Sequence, residues 1–142
     1  MKQSEVIKEA EYLDVILSLL SEPYQIVSVT KITFMAFCIY HEKNLMAYNR
    51  RKKDFVDIFF QNISLKLSVD YKDIERIMSV LDILVNTKKI NINEDRINIV
   101  GEINHSPENE FMKYCMGKVP NPIIEINKLD ATAVLEEVIR YV

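Results

Sequence analysis

The sequence predicts a mainly α domain carrying one small β-hairpin. Three observations point there. Apolar residues recur at helical spacing over most of the chain, two Ile/Asn-alternating stretches flank Glu94-Asp95, and only two glycines, Gly101 and Gly117, occur in 142 residues. That length suits one ordinary hydrophobic core. The expected organisation is a helical body over 1–104, with the hairpin at about 89–100, and a C-terminal helical extension over 105–142 packed on the same core.

Ser4 is placed to cap a first helix, about Glu5 to Leu20, on which Val6, Ala10, Leu13, Leu17 and Leu20 form an apolar stripe. Glu5, Lys8, Glu9 and Glu11 lie mainly off that stripe and are expected in solvent. Ser21-Glu22-Pro23-Tyr24 ends the helix, because proline disfavours helical geometry in the residue before it. Gln25-Ile26-Val27 reads as extended. Ser28 then caps a second helix running to Glu42, in which only Thr33 is polar between Ile32 and Tyr40. A helix apolar on every side belongs in the centre of the core.

Asn49 is followed by Arg50-Arg51-Lys52-Lys53, the one dense charge run of the chain. Asp54 caps a new apolar segment, in which Phe55, Phe59, Asn62 with Val56, Phe60, Ile63 give helical spacing to about Ser64, although alternation over Ile58 to Leu67 also fits a strand. Ser68 or Asp70 caps the next helix, Tyr71 to Asn86, with a stripe of Ile74, Ile77, Met78, Leu81, Leu84 and Val85. Lys89 to Asn93 and Arg96 to Val100 form the hairpin. Helices followed by a capped helix and a hairpin is the order of a winged-helix-like domain, in which the helix before the hairpin often reads DNA. Beyond Gly101, a helix starts near Pro107 and Glu108 and places Phe111, Met112, Cys115 and Met116 on one side. Pro120 and Pro122 interrupt it, Ile123 to Ile126 reads as a short extended piece, and Asp130 caps a last helix bearing Val134, Leu135, Val138, Ile139 and Val142.

The net charge of −3 gives no global reason to bind a polyanion. No pair of glycines stands at the spacing of a phosphate-cradling loop, so nucleotide binding by that route is not expected. Cys38 and Cys115 sit in apolar surroundings, the setting of buried thiols in a reducing compartment, and no signal or membrane-spanning stretch is present. A cytoplasmic protein is expected, with no membrane partner.

Cys38, His41, His105 and Cys115 supply the ligand types of a zinc site, but their spacing lacks the tight ligand pairs such sites use, and no metal is expected. A Cys38–His41 nucleophile pair has no orienting acid. Glu94-Asp95 and Glu136-Glu137 lie where nothing would bury them, so neither pair suggests acid–base catalysis. Phe55, Phe59 and Phe60, with Met112 and Met116, fit a core better than an exposed groove. The functional candidates are cations. Arg50, Arg51, Lys52 and Lys53 are placed to contact phosphates or an acidic partner, with Lys88, Lys89 and Arg96 adding charge around the hairpin. The helix between them carries Lys72, Asp73, Glu75, Arg76 and Asp82, an acidic balance that does not suit a DNA-reading element.

Leu19-Leu20-Ser21-Glu22-Pro23-Tyr24, then Ser28-Val29-Thr30-Lys31 leading into Ile32-Thr33-Phe34-Met35-Ala36-Phe37, then Leu81-Asp82-Ile83-Leu84-Val85 and a hairpin, together resemble the middle components of bacterial ABC three-component systems, the Lamassu-like anti-phage operons. The resemblance covers about the first 100 residues and rests on hydrophobic patterns. It implies a non-catalytic adaptor, without cofactor, that docks on an ABC ATPase related to structural-maintenance-of-chromosomes (SMC) proteins and couples it to an effector, often a nuclease. Non-specific DNA contact within the complex is a further expectation, and no catalytic residues are carried over. Two rival functions stand beside it: a dimeric winged-helix transcription regulator, and a small enzyme that would need Cys38, Cys115, His41 or His105 to be reactive or metal-bound.

Overall fold

The computed structural model describes residues 3–41 and 70–141. Its elements are α1 (Gln3–Leu20), α2 (Val29–His41), α3 (Lys72–Asn86), β1 (Ile90–Asn93), β2 (Arg96–Ile99), α4 (Glu110–Cys115), α5 (Pro122–Asn127) and α6 (Ala131–Tyr141). Among the described residues the protein is mainly helical with a single antiparallel hairpin, as its periodicities predict. The segment expected to form a helix after Asp54 lies outside the described residues.

α2 is the centre of the core. Seven of its residues, Ile32, Thr33, Met35, Ala36, Phe37, Cys38 and Ile39, are buried, so it meets neighbours on nearly every side. α1 and α3 pack on it and on each other, and α6 covers a further part. α1 buries Tyr12, Val15, Ile16, Leu19 and Leu20. This corrects the expected stripe: Val6 is half exposed, Ala10 is exposed, and Leu13 and Leu17 are only partly buried. α1 has two apolar sides, and the core uses the one centred on Tyr12. Ser4 does not cap it, because the helix already runs from Gln3.

After α1 the chain turns through Ser21, whose hydroxyl donates to the Leu17 carbonyl at 2.7 Å. Ser28 forms an antiparallel bridge with Arg96, and the Ile97 amide donates to the Val27 carbonyl at 2.8 Å. Residues 26–28 therefore lie along the outer edge of β2. Within the hairpin Ile90 faces Ile99 and Ile92 faces Ile97, with Ile90 and Ile97 fully buried. Among the described residues, helix, bridging segment, helix, helix and hairpin in this order are compatible with a winged-helix-like arrangement.

The hairpin turn also caps α2. Asp95 accepts the Ser28 hydroxyl at 2.5 Å, and the Thr30 hydroxyl and amide at 2.6 and 2.8 Å. Its own carbonyl accepts the Val29 amide at 2.8 Å, while Ser28 Oγ accepts the Lys31 amide at 3.2 Å, as a capping residue should. Partial burial raises the Asp95 pKa, but the hydrogen bonds from Ser28 and Thr30 together outweigh it and hold the carboxyl below its ordinary value. Asp95→Ala is expected to cost about 1–2 kcal/mol, the usual loss of a helix cap. Because the folded pKa is the lower one, the cap's contribution is present above the unfolded carboxyl value and is lost as pH falls through the folded one. Urea denaturation at neutral and acid pH checks both points: the variant's deficit should shrink toward low pH.

α3 starts at Lys72 behind Tyr71, with no side-chain cap; Asp70 does not fill the role expected of it, and Ser68 lies outside the described residues. Ile77, Val80, Leu81 and Leu84 are buried, whereas Met78 points outward. In the C-terminal part, Asn109 caps α4 by accepting the Met112 amide at 3.0 Å. Residues 122–127 form α5 and not the expected extended piece. Pro122 occupies its first turn, where no amide is needed, and Asn121 accepts the Ile123 amide at 2.9 Å. Asp130 caps α6 through the Ala133 amide at 2.7 Å. These elements are tied to the body through Asn121, which donates to Tyr24 Oη at 2.9 Å, and through Lys31 Nζ, which donates to the Asn127 carbonyl at 2.9 Å.

Candidate functional site

The polar heart of the protein is one carboxylate. Asp73 accepts the Tyr12 hydroxyl at 2.8 Å, lies 2.8 Å from His41 Nε2 and accepts a short bond from the Arg76 guanidinium. Arg76 also grips Glu5 with both arms, at 2.7 and 2.9 Å. The set joins α1, α2 and α3. It is only 3% exposed at Asp73, where an unpaired carboxylate would not be tolerated. Burial, and after it the bond to Asp73, pushes the Tyr12 phenol well above its ordinary value and keeps it protonated. The Arg76 bond holds Glu5 below the usual carboxylate range. Tyr40 stacks on Tyr12 with ring centroids 4.2 Å apart.

Sequence reasoning does not assemble this cluster as a unit, yet one signal points to it. Asp73 stands four residues before Ile77, in phase with Ile77, Val80, Leu81 and Leu84. A carboxylate on the buried stripe of a helix needs partners, and the strongest available are Arg, His and Tyr from the same helix, as Arg76 is here, or from facing ones, as Tyr12 and His41 are.

A second cluster lies on the other side of α1. Asp14 Oδ1 is 2.7 Å from His105 Nε2 and accepts the Glu108 amide at 3.0 Å, while Oδ2 accepts the Asn109 amide at 2.9 Å. Asp14 thereby anchors the chain entering α4. The two histidines thus turn toward separate carboxylates, and among the described residues no three metal-ligating side chains come together. Cys38 and Cys115 are both buried, and burial pushes the Cys115 thiol up to about 12.

Of the expected contact residues, Arg50, Arg51, Lys52 and Lys53 lie outside the described residues. Lys88, Lys89 and Arg96 are all exposed. Lys88 and Lys89 sit at the root of the hairpin, whereas Arg96 pairs with Asn93 at its tip, about 13 Å away by strand rise. They form two small cationic points.

The outward face of α3 carries Lys72, Glu75, Met78, Ser79, Asp82, Ile83 and Asn86. Asp73 and Arg76 satisfy each other inside, so the surface keeps one more carboxylate than cation. Met78 and Ile83 are 37% and 43% exposed. Where a winged-helix reader presents mainly cations and amides to a groove, this face has one lysine and one asparagine against two carboxylates and two apolar side chains. No helix among the described residues is long and apolar enough to cross a membrane. Comparison of the chain with family models, curated proteins and solved structures finds no match.

Proposed function

We propose that this chain is a non-catalytic adaptor subunit that works by docking on other proteins. The observation that carries the reading is the outward face of α3, where Met78 and Ile83 flank Glu75 and Asp82 on either side. Phosphates would be repelled by those carboxylates, and a protein surface with apolar and basic groups would be accepted. The Lamassu-like resemblance supplies the partner: an SMC-like ABC ATPase, with the effector of the same operon as the second contact. Arg50 to Lys53 serve there as contacts to DNA phosphates or to an acidic partner surface.

Co-expression with the neighbouring gene products followed by size exclusion tests the proposal. Co-elution is expected, weakened by Met78→Glu with Ile83→Glu and altered by neutralising Arg50 to Lys53, each in a protein that still folds. A chain that stays monomeric and never co-elutes would overturn it. The regulator reading retains one supporting feature, the hairpin cations Lys88, Lys89 and Arg96 that follow the described helices α1, α2 and α3. Tight, sequence-selective mobility shifts by the isolated protein would establish that reading instead.

A further inference from the structure

We propose that the outer side of α1 is a second docking site, built for a helix of a partner protein whose apolar row is flanked by lysine or arginine. The inference rests on the adaptor reading and concerns a face of the molecule separate from the outward face of α3. Val6 and Ile7 are 51% and 52% exposed, and Ala10 beside them is exposed too. A groove of about 360 Å³ runs here, lined by Ile7, Ala10, Glu11, Asp14, Glu108 and Asn109.

Its floor has a specific geometry. Ile7, Ala10, Glu11 and Asp14 follow the spacing i, i+3, i+4, i+7, which is the four-residue hole that receives one knob from a facing helix. Ala10 is the smallest of the four and leaves the depth that a leucine-sized side chain would fill. The far wall is fixed in place, because the Asp14 carboxylate holds the Glu108 and Asn109 amides at 3.0 and 2.9 Å. A preformed groove loses little conformational freedom on binding.

Charge selects the occupant. Asp14 is already engaged by His105 and two amides, so the carboxylates left at the rim are Glu11 and Glu108, both exposed. Lys113 reaches Glu108 only at 4.0 Å and is itself half exposed. A flanking lysine or arginine on the partner would meet both acids. A second copy of this chain would instead bring another acidic rim against the first, which disfavours self-association.

The test uses the full chain and two labelled helical peptides of about 20 residues, long enough to hold helix. Both carry leucine at the a and d positions; one has lysine at the flanks and the other glutamate. Fluorescence anisotropy should show the lysine peptide binding at least about tenfold more tightly. Ala10→Arg fills the hole from an exposed helical position and should lower that affinity about tenfold with an unchanged circular-dichroism melting curve. Glu11→Gln removes the charge while keeping the side-chain shape that lines the hole, and should reduce the preference for the lysine peptide. Equal binding of both peptides, binding of neither, or wild-type affinity in a folded Ala10→Arg protein would overturn the proposal. So would a wild-type dimer in ultracentrifugation that Ala10→Arg makes monomeric, since the occupant would then be a second copy. If the α3 variant fails to co-elute with its partners yet binds the lysine peptide normally, the two faces are independent. Peptide binding by a chain that co-elutes with no operon product would reject the adaptor assignment and leave this site standing.

Discussion

Replacing Asp73 with alanine is expected to destabilise the protein by about 3–5 kcal/mol, the range seen when one member of a buried charged pair is removed. Three donors converge on its carboxylate from three helices: Tyr12, His41 and Arg76. Alanine leaves all three without that acceptor. Arg76 keeps Glu5, and His41 has Asp70 no nearer than 3.9 Å, but the Tyr12 hydroxyl is left without its acceptor in a fully buried residue. Each buried polar group stranded in this way costs about 1–3 kcal/mol. Glu5→Ala removes the opposite end of the same chain of bonds. Glu5 is 40% exposed, so its loss is softened by water and a much smaller destabilisation than that of Asp73→Ala is expected. Urea denaturation of the two variants separates these outcomes. If Asp73→Ala were as mild as Glu5→Ala, the cluster would not be what holds the three helices in register.

The contrast between these two acids shows what can be read in the sequence. α3 and the hairpin are legible to within about a residue, because a stripe of branched aliphatics and a strict Ile/Asn alternation each fit only one period. α1 is legible along the chain but not around its axis. Val6, Ala10, Leu13 and Leu17 make as good a stripe as Tyr12, Val15, Ile16 and Leu19, and only tertiary packing decides which one the core takes. α5 hides behind two prolines that look like breakers, although Pro122 behind the capping Asn121 is a helix start.

The acids are illegible for a different reason. In the sequence Glu5 looks like a surface charge and Asp95 like an ordinary turn residue, while Asp73 is marked only by its phase with the buried stripe of α3. Each depends on a partner 61 to 71 residues away in sequence, which no local pattern encodes, and Asp73 also needs His41 and Arg76, 32 and 3 residues away. The cationic candidates are legible as charges, but the distance separating Lys89 from Arg96 along the hairpin follows from register alone. The place of α2 is readable throughout, since a helix apolar on every side has only one environment to occupy.

Phe37→Asp is therefore expected to abolish folding. Phe37 is fully buried in the central helix, and its ring lies 4.6 Å from that of His41, one bond away from Asp73. Ionised, the new carboxylate would be buried without a partner; protonated, it would still leave a polar group and a lost aromatic ring in the core. Either cost is comparable with the whole stability of a small domain, about 5–15 kcal/mol. Phe37→Ala isolates the packing part and should cost about 3–5 kcal/mol through lost burial and the cavity left behind. Phe37→Leu keeps most of the volume and should cost less than Phe37→Ala. Because Phe37 touches the histidine that Asp73 binds, Phe37→Ala combined with Asp73→Ala should be less damaging than the two effects added. Circular dichroism and denaturant titration across this series measure the gradient. A cooperative, native-like transition in Phe37→Asp would mean that α2 does not organise the core.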